Sequence, residues 1–338
     1  MSLKRKILLF LLNFLGINAL FRLINRNEAI ILWYHGICDD DFTLLRGYDE
    51  RHVSKPLFRK QLIFLKKRGY NFITMTGLIE KLGKKEKLEK LVVLTFDDGF
   101  RNVVENAYPI MKELNAKGCF YLVSSLIDGN ELLWTDQVEM VLRSHKDSEF
   151  RLVFKGQVVT YGLSPQKLLE EAMKDIKKKL RTLSDKERKE HFQQFYKKDV
   201  GRIPKEFLFS TWEQIRQLDK DVLEVGSHTQ NHPDCATLNS AEEFRSELLD
   251  SKRIIQEKVG YEIRHFCYPA GSFDDEVIRN VKQYGYTSAV TIIPGFSNWK
   301  TDRYQLTRIS VQEDFFLFKA LTSGSYFFMS RLLKILKG

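Results

Sequence analysis

The 338-residue chain has no close pair of cysteines. Cys38, Cys119, Cys235 and Cys267 are scattered, with no C-x-x-C spacing, which argues against a disulfide framework or a zinc ribbon and for buried free thiols. That pattern fits a reducing compartment. Internal repeats, low-complexity tracts and glycine-serine linkers are missing as well, and 43% hydrophobic with 29% charged residues is ordinary for a globular protein. Acid is short relative to base: 44 Asp and Glu against 54 Lys and Arg leave a net charge of +10. Such an excess points to an anionic partner. No helix-turn-helix, zinc-finger or RNA-recognition pattern accompanies it, so no nucleic acid is expected and a membrane surface is the better candidate.

Long uninterrupted hydrophobic runs are also lacking. Residues 1–24 start with Lys4, Arg5 and Lys6 and run apolar from Ile7 to Ile17, but Asn13, Asn18 and Arg22 interrupt them, and a spanning helix needs about 20 apolar residues. No small-residue cleavage site follows. Asn18, Arg22, Asn25 and Arg26 fall on one side at helical spacing, so residues 1–28 read as a basic amphipathic helix lying in a membrane interface. A signal anchor is the alternative, and core packing a third reading. Residues 311–338 repeat the theme, with Arg331, Lys334 and Lys337 among Leu332, Leu333, Ile335 and Leu336. The expected location is peripheral, on the cytoplasmic face of a membrane; a signal anchor would instead put the folded part outside the inner membrane.

Between the ends, short apolar runs alternate with charged, helix-like stretches, the pattern of an α/β chain with a parallel sheet or barrel. Residues 29–37, 71–74, 91–96, 118–123, 224–228, 265–271 and 286–291 read as strands, and a helix is expected from Pro56 to Gly69. Roughly eight strand candidates separated by helices predict a closed or nearly closed barrel. A stretch of about 129–210 interrupts the rhythm with a hairpin, "FRLVFKGQVVTYG", and two Lys/Glu-rich helical segments. It reads as an inserted helical and hairpin subdomain over one rim.

The chemistry begins at "LTFDDGF", residues 94–100, where an apolar strand stops at two adjacent acids, Asp97 and Asp98. Successive side chains of a strand point to opposite sides, but a bend at the strand end can turn both into one pocket, one to hold a metal and one to move protons. The ordinary alternative is a capped turn. Partner ligands appear in "GSHTQNHPD", where His228 and His232 stand four apart just after a strand. Two imidazoles and one carboxylate leave coordination positions open, as a catalytic site requires. The set suits zinc, with Co, Ni or Fe as other occupants.

"TFDDG", "SHTQNH" and "FCYPAG", in this order, resemble the first three motifs of the polysaccharide deacetylases (carbohydrate esterase family 4). The resemblance covers about residues 29–310, less the insert. It implies a deformed (β/α)7-8 barrel and metal-dependent removal of N-acetyl groups from a sugar. By the same resemblance Asp97 is the general base, Asp98, His228 and His232 hold the metal, and the backbone N–H of Tyr268 supports the oxyanion. The family's late leucine-x-histidine motif is replaced here by "LTRIS", with Arg308 at the position of interest. "ILWYHGI" is similar to the tyrosine-histidine segment of the circularly permuted branch, which includes the exopolysaccharide poly-N-acetylglucosamine deacetylases, and this makes His35 the candidate general acid. The arginine found before the third motif in many relatives is missing, and Arg308 is expected to reach Asp97 from another strand in its place. Trp299 and Asp302 match the family's later Asp/Trp motif only loosely.

The implied substrate is an N-acetylated glycan, a lipid-linked one given the basic ends. An O-acetyl esterase and a catalytically silent, membrane-associated glycan-binding module are the competing readings. A glycosidase is disfavoured, because its two acids must flank a bond from about 5 Å or more and these two are neighbours.

Overall fold

The computed structural model describes residues 3–39, 52–129, 131–146, 148–184, 186–188, 190 and 203–335. Seven parallel strands close into a barrel: β1 (Ile30–Tyr34), β5 (Leu91–Phe96), β6 (Gly118–Leu122), β9 (Leu223–Ser227), β10 (His265–Cys267), β11 (Ser288–Pro294) and β12 (Leu306–Ser310). Pairing of β1 with both β12 and β5 closes the ring. The two-residue β4 (Asn71–Phe72) pairs with the start of β5 and stands outside that ring. β12 was not among the strands expected from sequence, because Arg308 and two flanking hydroxyl residues, Thr307 and Ser310, break its apolar run.

Strand periodicity sorts the two cores. Ile31, Val93, Cys119, Tyr121, Cys267, Val290 and Leu306 belong to an inner cluster, while Leu32, Val92, Leu94, Phe120 and Phe266 face the surrounding helices. Both faces are therefore buried, as the near-continuous apolar reading of "LVVLTF" demands of a parallel strand. Thr95 and Asp97 continue the inward column of Val93. All four cysteines are buried and unbridged.

The segment 29–37 is not one strand. It breaks at His35, and β2 (Gly36–Cys38) pairs in a separate two-stranded sheet with β3 (His52–Ser54). Side chains replace the barrel ladder there: Asn102 accepts from the Ile37 amide at 3.2 Å and Asn106 donates to its carbonyl at 2.7 Å. The following helix, α3 (Lys55–Lys67), carries Pro56 in its first turn and ends before Gly69 at φ +76, the usual asymmetry of helix ends.

The insert has its own apolar cluster. Helix α4 (Trp134–Ser144), the antiparallel hairpin β7–β8 (Glu149–Phe154, Gln157–Gly162) and helix α5 (Gln166–Arg181) pack through Val141, Leu142, Phe150, Leu169 and Ile176. The second charged segment expected in the insert, residues 184–198, lies largely outside the described residues.

Each chain end holds two helices where one was expected. Glycines in left-handed conformation make the breaks, Gly16 at φ +71 and Gly324 at φ +90. Helices α1 (Leu3–Phe14), α2 (Ile17–Ile24), α6 (Phe315–Ser323) and α7 (Ser325–Ile335) form one layer, seated on Leu9, Leu12, Leu317 and Ala320. The Ser323 and Ser325 hydroxyls donate to Asn18 Oδ1 at 3.1 and 2.5 Å. No described helix is long and apolar enough to cross a membrane.

Close approach of β5 and β6 requires Gly118, where a Cβ would meet the Leu94 carbonyl oxygen at 2.2 Å. Backbone cannot yield there without opening the ladder. Gly118→Ala is expected to destabilise the barrel by about 3 kcal/mol, measured by urea unfolding; a loss under about 0.5 kcal/mol contradicts this account of the β5–β6 contact.

Candidate metal centre

The site gathers at the C-terminal ends of the strands. Asp97 directly follows β5 and points into the barrel, where Arg308 of β12 meets it. The guanidinium donates to both carboxylate oxygens, at 2.8 and 2.9 Å. Its remaining donors reach the Thr291 carbonyl at 2.7 Å and the Thr95 hydroxyl at 3.2 Å, and the ring of Trp33 lies 4.9 Å beneath it. Both residues of the pair are buried. Burial alone pushes the Asp97 carboxyl up, but Arg308, then His228, outweigh it and hold the carboxyl below its ordinary value.

Asp98 adopts φ +75, a left-handed conformation that costs a non-glycine residue of order 1–3 kcal/mol. This turn answers the puzzle of the adjacent acids. It brings Asp98, which strand alternation would send outward, to the same strand-end pocket as Asp97. Asp98 Oδ1 lies 3.4 Å from His228 Nε2 and 3.6 Å from His232 Nε2, and Oδ2 lies 4.0 Å from His35 Nε2. The break after β1 is what places His35 there, against Trp33 with ring centroids 5.1 Å apart. Burial raises the Asp98 carboxyl, yet His228, His35 and His232 together hold it far below the usual carboxylate range.

His228 Nδ1 lies 2.8 Å from the Cys267 carbonyl; as that oxygen only accepts, Nδ1 carries a proton and Nε2 is the nitrogen turned toward Asp98. Two imidazole Nε2 atoms converging on one carboxylate oxygen make a ligand set that a cation can satisfy. Two triads lie within ligand reach, Asp98–His228–His232 and Asp97–His228–Cys267, each with donor atoms within 4.8 Å of one another. The first is the better cradle: both Asp97 oxygens are taken by Arg308, and burial raises the Cys267 thiol pKa, keeping it protonated. Two nitrogens and one oxygen fit zinc or a similar divalent ion and leave coordination positions open.

Residues with no sequence signal hold the histidine loop. Thr229 and His232 are left-handed, at φ +68 and +58, and the Thr229 hydroxyl accepts from the His232 amide at 2.9 Å. The carboxylate of Glu247 accepts from the Gln230 and Asn231 amides and from the Asn231 side chain at 2.8–3.0 Å. Trp134 of the insert donates its indole N–H to the His232 carbonyl at 3.0 Å. Glu247 sits 16 residues after Asn231 and Trp134 98 residues before His232, where no local pattern marks them.

Several expectations need correction. The Tyr268 amide donates to the Val290 carbonyl at 3.3 Å as part of the β10–β11 ladder, so it is engaged in the sheet and does not offer a free oxyanion donor. Two residues on, Ala270 turns left-handed at φ +51, and its amide pairs with no backbone carbonyl among the described residues. Trp299 is exposed and Asp302 accepts from the Tyr304 amide, both on the chain entering the N-terminal end of β12. Arg264 pairs with Glu262 at the surface.

The family model for polysaccharide deacetylase matches residues 84–289, more than half of the chain, which therefore belongs to that family. The matched span holds Asp97, Asp98, His228 and His232 and leaves out His35 and Arg308. The Bacillus subtilis protein YxkH, whose name places it among the polysaccharide deacetylases, is 21% identical over 282 residues, covering 83% of this chain and 70% of its own. A poly-β-1,6-N-acetyl-D-glucosamine N-deacetylase of Escherichia coli K12 is 22% identical over 302 residues, 80% of this chain and 35% of that protein. This chain thus spans about a third of the length of that relative. Among solved structures, the Streptococcus pyogenes deacetylase PplD in complex with acetate superimposes with a TM-score of 0.58 at 19% identity, covering 85% of this chain and 93% of its own. The shared fold is the seven-stranded (β/α) barrel.

Removing the guanidinium leaves a buried carboxylate unpaired. Arg308→Met is expected to lower the unfolding free energy by about 3–5 kcal/mol at neutral pH, measured by urea titration. The depressed Asp97 carboxyl stabilises the fold above the pKa of an unfolded Asp, about 3.9, and loses that contribution as pH falls through the folded value. The gap between wild type and variant therefore narrows below about pH 4; a gap that stays constant through acidification assigns it to another cause.

Proposed function

We propose that this member of the polysaccharide deacetylase family removes N-acetyl groups from an N-acetylated glycan, with a divalent metal, zinc first, held by Asp98, His228 and His232. The observation that carries the reading is the convergence of two imidazole Nε2 atoms on Asp98 Oδ1 within 3.6 Å, beside a second carboxylate clamped by arginine. A bound divalent cation supplies Lewis acidity for the attacking water and the acetyl carbonyl.

The chain's own residues do the rest. Asp97 accepts the proton of the attacking water, and Arg308 keeps it ionised and aimed. His35, facing the same pocket from the end of β1, donates the proton that lets the sugar amine leave. Free acetate and a glucosamine-type residue result. The unpaired Ala270 amide, rather than that of Tyr268, is the backbone donor available to a developing oxyanion. A poly-β-1,6-N-acetylglucosamine-type glycan is the substrate class supported by the names of the Escherichia coli and Staphylococcus epidermidis relatives, and a lipid-linked form suits the basic, apolar chain ends.

Acetate release from soluble and lipid-linked N-acetylglucosamine oligomers, by chelator-stripped protein before and after Zn²⁺ or Co²⁺ addition, tests this. Asp97→Asn is expected to lower kcat by about 10²–10⁴-fold while metal affinity stays within severalfold, and His232→Ala to lose the metal. Release from O-acetylated sugars alone makes the protein an esterase. Tight metal and glycan binding with no release from any acetylated sugar makes it a binding module.

A further inference from the structure

The layer formed by the two chain ends carries an apolar face that the barrel does not cover. Eight of the fifteen large hydrophobic side chains exposed among the described residues lie on its four helices, and a ninth, Leu15, sits in the break between the first two. Phe10, Phe14, Leu15, Leu20, Leu23 and Ile24 make most of this face, and Phe14 is 75% exposed. Phe10 and Phe14 stack on each other at 5.5 Å. Exposed apolar side chains grouped in this way mark an interaction surface, whereas scattered ones do not.

Four cations stand at the margin, and aromatic rings seat them. Arg22 and Arg68 lie 5.8 and 4.8 Å from the Phe64 ring centre, Lys60 and Lys319 4.4 and 5.2 Å from that of Phe315. None of the four forms an ion pair with a carboxylate among the described residues. Their mutual repulsion is felt: the Lys319 ammonium is pushed down by burial and by Arg68, Lys60 and Arg22. A cluster that accepts like-charge repulsion beside an apolar face is complementary to anionic groups lying above a hydrocarbon layer.

We infer that the helix layer is a docking surface for an anionic lipid bilayer: Phe10, Phe14, Leu20 and Leu23 enter the interface while Arg22, Lys60, Arg68 and Lys319 meet lipid phosphates. Helix α6 starts five residues after the C-terminal end of β12, and the Asn13 side chain donates to the Phe316 carbonyl at 3.3 Å. One end of the docked layer thus adjoins the strand ends that hold the metal centre. The inference is independent of the reaction proposed above.

Flotation of the full chain with phosphatidylcholine vesicles, with and without about one third phosphatidylglycerol, tests it. Wild type is expected to float with the anionic vesicles and far less with the neutral ones. Lys60→Gln with Lys319→Gln should weaken anionic binding about 20–30-fold, at about 1 kcal/mol for each cation near the surface, and Phe14→Ser with Leu23→Ser should abolish it. Circular dichroism melts of both double variants check that folding is intact. Wild type that remains in the soluble fraction with both vesicles overturns the inference. So does a stable dimer in light scattering that Phe14→Ser with Leu23→Ser dissociates, which assigns the face to a second copy of the chain.

Discussion

The bidentate pair between Arg308 and Asp97 is the contact on which the rest of the centre depends. It bridges β12 and β5, the two strands that flank β1, so it is aligned only when β1 has paired with both and closed the ring. Taking both charges out of water is costly, and the cost is offset by completeness: both carboxylate oxygens are engaged, and the guanidinium also satisfies Thr291 and Thr95. With Asp97 committed to arginine, the neighbouring Asp98 is the carboxylate left for the two histidines. A division of labour between adjacent acids follows from which one the barrel wall holds.

Around this pair, the strand ends bend where chemistry is expected. Asp98, Thr229, His232 and Ala270 are all left-handed, and each re-aims a side chain or an amide that regular strand geometry would direct elsewhere. Such conformations persist only when the surroundings over-determine them. Here that role falls to the Glu247 carboxylate under the histidine loop, the Thr229 hydroxyl, and the indole of Trp134. Through Trp134 the inserted subdomain touches the backbone of the proposed metal ligand itself, so the insert is tied to the centre and is more than a solvated appendage.

The terminal helices use the same economy of position. Two short, glycine-broken helices from each end of the sequence meet over the flank of α3, where Phe64 packs edge-on against Phe315. Polar contacts among Asn18, Ser323 and Ser325 fix the inner side of the layer and leave its apolar residues on the outer side. A face assembled in this way lies beside the open end of the barrel, an arrangement suited to a substrate presented at a surface.

Much of this was legible in the order of residues. Buried parallel strands such as "LVVLTF" announce themselves by continuous apolar runs, and "DDG" with "H-x-x-x-H" at strand ends marks the four central residues because their types and spacing are local. What the sequence by itself determined was therefore the barrel class, the family and the nucleus Asp97, Asp98, His228 and His232. Only the tertiary structure decided the rest. Closure of the ring set Arg308 against Asp97 across 211 positions, the ladder engaged the Tyr268 amide and left that of Ala270 unpaired, and packing joined both chain ends into one face. Those outcomes depend on contacts between residues remote in sequence and on backbone turns, neither of which leaves a local periodicity to be read.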